Sequence, residues 1–194
     1  NVLKASVGVH LHNLSIFYKR EFDVTPPSEE YPLKLGYISS HTMAINNTNK
    51  KSKVLDIGGG QGRIARELKK KSCFVAGIDR CRLENPEAYD QFYQEDLDFT
   101  NFDFDLSEFD TILMLDIIEH LANPEEFLDK LREKARLNTP KIIVTSPNIA
   151  FFILRFQLLF GQFNYGKQGI LDKTHKRLFN FKTMKTIFRQ CGYT

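Results

Sequence analysis

The chain has 194 residues, of which 42% are hydrophobic and 26% charged, and a formal net charge of +3. That length bounds it to one domain able to close a substantial core, and the composition excludes a disordered or fibrous chain. So small a positive charge, without an arginine-rich face or a long lysine run, argues against a nucleic-acid partner.

Residues 1–51 are weakly periodic, with a turn cluster at Thr25-Pro26-Pro27-Ser28 and a helix predicted over Gly36 to Asn46. The rhythm then changes. Val54 to Ile57 reads as a buried strand, followed by glycines and a helix from Arg63 to Lys71 with Ile64, Ala65 and Leu68 on one face. The run Lys69-Lys70-Lys71 sits at that helix's negative end, so its expected role is structural. Cys73 to Ile78 is a second strand ending at Asp79; a short helix is predicted over Pro86 to Phe92, and a third strand leads into Glu95-Asp96. Thr111 to Leu115 is a fourth strand. Asn123-Pro124-Glu125-Glu126 is a helix start, with an N-cap, a proline at the first helical position and acids in the first turn; the helix runs to about Leu137. Lys141 to Thr145 is a fifth strand, and a last helix covers Phe181 to Gln190, stopping at Gly192. Strands alternating with helices imply an α/β fold, Rossmann-like and doubly wound, with a mostly parallel sheet covered by helices on both faces.

Three cysteines (Cys73, Cys81, Cys191) form neither a disulfide framework nor a CxxC metal pair, which favours a reducing compartment and a cytoplasmic location. No signal-peptide pattern opens the sequence. The most apolar stretch, Ile149 to Phe160, contains Arg155 and Gln157 and falls short of the roughly 20 residues a membrane helix needs. The abrupt start, and an end at Gly192-Tyr193-Thr194 where another strand is due, read as a fragment lacking the last strands of such a sheet.

The chemistry concentrates where strands meet the following turns. Asp56-Ile57-Gly58-Gly59-Gly60-Gln61-Gly62 joins the first strand to the first helix, and its glycines let the backbone turn tightly beside a ligand. A dinucleotide GxGxxG begun at Gly58 needs glycine or alanine at position 63, where Arg63 stands. Asp56 also puts a carboxylate where a pyrophosphate lies in dinucleotide enzymes; a carboxylate repels phosphate and suits an ammonium group. Asp79 ends the second strand, where an acid accepts hydrogen bonds from ribose hydroxyls, and Asp96 follows the third, where an acid takes an adenine amino hydrogen. Three acids at successive strand ends fall on one edge of the sheet, the edge at which α/β proteins bind ligands. No pair of histidines has metal-ligand spacing, and no metal is expected.

From about Ser52 to its end the chain resembles class I S-adenosylmethionine-dependent methyltransferases. Val54 to Gly62 looks like their first motif, Gly77-Ile78-Asp79 like the ribose-binding one, Phe109 to Leu121 like the fourth-strand segment and Thr145-Ser146-Pro147-Asn148 like the fifth. The resemblance implies S-adenosyl-L-methionine as cofactor and S-adenosyl-L-homocysteine as product. It gives Asp56 with Gly58, Gly59, Gly60 and Gly62 the methionine part, Asp79 the ribose, Asp96 and Leu97 the adenine, and Leu115 and Asp116 the cleft wall, and counts Arg80 among the cofactor-binding residues. By it, 52–194 is the cofactor-binding domain, and 1–51 is a linker plus helix forming part of a substrate-side cap.

A narrower resemblance runs through Glu30 to His41 and Gly169 to Phe179, which look like methyltransferase domains associated with glycosyltransferases of surface-polysaccharide assembly. It implies a glycan or lipid-linked glycan acceptor, with Asn1 to Phe17 the tail of a linker. A sugar hydroxyl is a poor nucleophile, and a positioned histidine could remove its proton. His120, after the fourth strand, and His175, in a Thr-His-Lys-Arg loop where Arg177 could orient the acceptor, are the candidates; each could equally serve a structural hydrogen-bond network. The apolar segment 151–163 reads as a lid or packing element, or as an interfacial helix making peripheral membrane contact. Two other functions fit the fold: an NAD-dependent oxidoreductase, and a cofactor-binding interaction module without catalysis. Oligomeric state is not legible.

Overall fold

The computed structural model describes residues 39–167 and 169–194. The turn cluster at residues 25–28, the linker reading of residues 1–17 and the segment 30–38 lie outside the described residues. Among the described residues, 39–146 with 185–194 form one compact unit and 147–184 another.

The first unit is built on a five-stranded, wholly parallel sheet in the order β3-β2-β1-β4-β5. The strands are β1 (Lys53–Ile57), β2 (Phe74–Asp79), β3 (Gln91–Gln94), β4 (Thr111–Leu115) and β5 (Lys141–Thr145). Buried on both faces, the inner strands need continuous apolar runs, and Val54-Leu55, Val75-Ala76 and Ile112-Leu113-Met114 supply them. Alternation sends Val54, Val75 and Leu113 to one face. There they pack with Ala44 of α1 (Ser40–Asn47) and with Ile64, Ala65 and Leu68 of α2 (Arg63–Lys69). The buried residues of opposite parity, Leu55, Ile57, Ala76, Ile78, Ile112 and Met114, form the other face. α3 (Pro124–Lys134) buries Phe127, Leu128 and Leu131, and the Phe127 ring lies 5.4 Å from that of buried Phe102.

α3 begins as the sequence dictates: Asn123 Oδ1 accepts from Glu126 N, and Pro124 fills the first helical position. The lysine run is structural. Lys69 pairs with Asp90 at 3.0 Å and Lys70 with Glu67 at 2.7 Å. Lys71 donates to the carbonyls of Ile45, at 2.6 Å, and Thr48, at the C-terminal end of α1.

One expected element shrinks. The helix predicted over Pro86 to Phe92 is a 3-10 turn of Pro86–Ala88, and β3 already begins at Gln91. In place of a helix on that side of the sheet stands the Tyr89 ring, buried against Gly77 of β2. The connection from β3 to β4 likewise holds only a 3-10 turn, Leu106–Glu108, with Phe102 and Leu106 buried. All three cysteines are free thiols.

The second unit contains α4 (Phe152–Leu159), an isolated bridge between Asn148 and Phe179, and a turn closed by a bridge between Gly166 and Asp172. The last helix, α5 (Phe181–Gln190), buries Ile187. No helix among the described residues is long and apolar enough to cross a membrane.

Candidate active site at the carboxyl ends of the strands

The strand order reverses beside β1, where β4 pairs with it on the side away from β2. In an open parallel sheet that switch point leaves a crevice at the carboxyl ends of the strands. The turns after β1 and β4 meet there: a Cβ on Gly58, which has φ +71°, would lie 2.0 Å from Ile117 Cγ1. Only glycine satisfies both that backbone and that approach.

The site's acids differ in what surrounds them. Asp56 is buried, and its carboxylate accepts from the Tyr89 hydroxyl at 3.2 Å. Burial pushes its pKa up to about 7, the Tyr89 hydrogen bond opposes that rise, and the charge of Asp79 adds to it. The register explains the contact. Asp56 pairs with Gly77 across β1 and β2, both point to the same face, and the missing side chain at 77 admits the Tyr89 ring. Gly59 lies directly over the same carboxyl.

Asp79 is half-buried and ties two loops together: its Oδ2 accepts from Gly60 N and its Oδ1 from Cys81 N, each at 2.9 Å. A carboxylate has about four lone-pair sites, so each oxygen keeps capacity for a hydroxyl. Gly60 has open space on its side-chain face, and Gly62 caps α2. Gln61, unremarked in the sequence, spans the same two loops by donating to Arg82 O and accepting from Glu84 N. Arg80 is exposed beyond Asp79.

Asp96 is exposed two residues past β3, its Oδ1 accepting from Asp98 N, and Leu97 beside it is half-buried. Asp98 in turn accepts from Ala122 N at 2.8 Å and so joins the loops after β3 and β4. At the end of β4, Leu115 and Asp116 are half-buried. Asp116 has φ +53° and is locked to β5: its N–H donates to Thr145, whose hydroxyl donates to Asp116 Oδ1 at 2.8 Å.

Sequence reasoning passed over two residues next to this lock. Glu119 is buried, and its carboxylate faces the buried Ser146 Oγ. Burial pushes Glu119 up to about 7, with the Asp116 charge adding to the rise. The only written signal is the clustering of Asp116, Glu119 and His120 after an apolar strand. His120 is half-buried in the 3-10 turn Ile118–His120 of the sheet unit. His175 and Arg177 belong to the 147–184 unit. The His175 Nδ1 faces the Ile170 carbonyl at 3.0 Å, and since a carbonyl only accepts, Nδ1 is the donor there.

The sheet unit therefore brings together every predicted cofactor residue on one rim. Its donor set is carboxylate, backbone amide and apolar wall, which fits a cationic nucleoside bearing a ribose diol. Comparison with known proteins gives the same reading. A family model for a methyltransferase domain matches residues 36–194. A ubiquinone biosynthesis O-methyltransferase of Rickettsia canadensis is 27% identical over 120 residues, 59% of this chain and 51% of that protein. A (S)-tetrahydroprotoberberine N-methyltransferase of Eschscholzia californica is 36% identical over 89 residues, 40% of this chain and 25% of that protein. The chain thus spans about half or less of the length of these curated relatives. Among solved structures, a SAM-dependent methyltransferase from Archaeoglobus fulgidus shares the fold, with a TM-score of 0.54 and 20% identity over 78% of this chain and 65% of that one. The nicotinamide alternative falls away with the family match. The chain belongs to the methyltransferase domain family, within the class I methyltransferases whose cofactor is S-adenosylmethionine.

Proposed function

We propose that this chain transfers the methyl group of S-adenosylmethionine to an oxygen of a glycan or other small acceptor. The observation that carries the reading is the convergence of Asp56, Asp79, Asp96 and Asp116 with the Gly58 to Gly62 turn on one rim of a parallel sheet. An oxygen acceptor is favoured by the ubiquinone O-methyltransferase relative, a nitrogen acceptor by the tetrahydroprotoberberine one; the likeness of residues 30–41 and 169–179 to polysaccharide-associated domains tips the choice to a glycan oxygen.

Bound S-adenosylmethionine supplies a methyl group on a sulfonium, open to in-line displacement. The chain's own residues hold and orient. The free lone pairs of Asp79 receive the ribose hydroxyls, Asp96 and the Leu97 backbone take the adenine edge, and Asp56 with the glycine turn receives the methionine end. Leu115 and Asp116 wall the cleft between. Alignment of the acceptor supplies much of the rate in such a displacement. His120 and His175 are the two groups proposed to take the acceptor's proton, and Arg177 the one to orient it.

Calorimetric titration with S-adenosylmethionine and S-adenosylhomocysteine tests the cofactor half. Asp79→Ala should weaken both at least about a hundredfold, the lower end of what two lost charge-assisted hydrogen bonds to hydroxyls, about 3 kcal/mol, are worth. Turnover of methyl-labelled cofactor with glycan acceptors tests the other half, in wild type, His120→Gln and His175→Gln. Tight binding with no transfer to any acceptor would instead mark a cofactor-binding interaction module.

A further inference from the structure

Helix α4 is built inside out. Phe152, Phe156, Leu159 and Phe160 recur at the i, i+4, i+7, i+8 spacing of a single helix face, yet they are 69%, 61%, 80% and 67% exposed. The opposite side turns inward a glutamine, Gln157, only 5% exposed, beside Leu154. The outward rings form a ridge along the helix, where Phe156 packs edge-to-face on Phe160 at 5.1 Å; in the following loop Phe163 packs against Tyr165 at 5.5 Å. A contiguous apolar surface of this kind marks an interaction site, because solvent contact with it is unfavourable.

The charge of the same unit identifies the partner. Residues 147–184 carry the cations Arg155, Lys167, Lys173, Lys176, Arg177 and Lys182 against one acid, Asp172. Arg155 rises from the same helix and is exposed, as are Lys167, Lys173, Lys176 and Lys182. The rest of the chain balances its charges far more closely, since the whole carries 27 cations and 24 acids. Exposed aromatic rings together with a one-sided excess of lysine and arginine in the same unit match a bilayer interface: rings enter the acyl boundary while cations meet anionic headgroups. A protein groove would match the rings but gives no reason for one sign of charge.

We propose that the 147–184 unit docks on anionic lipid bilayers, with α4 lying in the interface plane. The proposal is independent of the methyl-transfer reading, since docking requires neither cofactor nor acceptor.

Flotation of the full chain with lipid vesicles tests it. Vesicles of phosphatidylcholine with phosphatidylglycerol should carry the protein upward, with partition at least about tenfold stronger than onto phosphatidylcholine alone, and high salt should release it. The pair Phe156→Asp and Leu159→Asp should abolish flotation while leaving the melting temperature and the cofactor-induced rise in it unchanged; Arg155→Gln with Lys173→Gln should weaken it in the charged vesicles only. Absence of flotation, equal binding to both vesicle types, or salt-insensitive binding would overturn the proposal. So would a large loss of melting temperature in the Asp variants, which means the ridge is packed within the chain. A wild-type dimer that the same variants dissociate would assign the face to a second copy and overturn it as well.

Discussion

Glu119 and Asp56 set how the protein responds to pH. Both carboxyls are buried, and both titrate near 7 in the fold, against 4.5 and 3.8 without it. The unfolded chain releases these protons as pH passes 4 to 5, whereas the folded chain holds them until about 7. Over that interval the unfolded state binds fewer protons, so stability falls as pH rises. Melting temperature should therefore be higher at pH 5 than at pH 8. Glu119→Gln should flatten that slope by on the order of 3 kcal/mol, as a shift of this size implies, and chemical denaturation at the two pH values reads it directly. An unchanged slope would mean that Glu119 is ionised and solvated in the fold. The sequence marks Asp56 as a site residue but conceals its state. Its donor, Tyr89, is 33 positions away, and only the pairing of Asp56 with Gly77 brings them together.

At the scale of elements, legibility followed local signals. β4, β5 and α5 lie where the sequence predicts them, because β-branched apolar runs and a helix-period stripe mark them without tertiary help. α3 starts at its Asn-Pro-Glu-Glu signature. The misread element, Pro86 to Phe92, carries a helix-like opening in Asn85-Pro86-Glu87, but Tyr89 is needed inward against β2, and that ends the helical turn after Ala88. Gly77 was the available clue, since glycine inside an apolar strand marks a close approach. Gly77→Ala would place a methyl 2.6 Å from the Tyr89 ring. Overpacking of that kind should cost about 1–3 kcal/mol, read as a lowered urea midpoint, and should loosen cofactor binding because the displaced ring is the one bonded to Asp56.

For the whole molecule, the sheet unit is scaffold and proposed binding site at once, since the strands that bury the core end in the acids of the rim. Saturating S-adenosylmethionine, at about a hundred times its dissociation constant, should stabilise the fold by about 2.7 kcal/mol, raising the melting temperature by roughly 5–10 °C for a domain of this size. Asp79→Ala at the same concentration should show a much smaller rise in a thermal shift assay. The fold class and rim residues could be read from the chain because each lies beside its own strand. The lock of Asp116 by Thr145, the bridging by Gln61 and the buried Glu119–Ser146 neighbourhood could not, because each depends on contacts across strands or loops.

β3 has four residues, pairs on one side only, and is flanked by two connections that contain no full helix. Asp96 hangs from that strand, whereas Asp56 sits at the end of the central one. On the roles proposed for these acids, the base end of the pocket is the less supported and the amino-acid end the better supported. Analogues with an altered purine should be accommodated with modest loss, and those with an altered amino-acid tail rejected, in a competition series against the natural nucleoside.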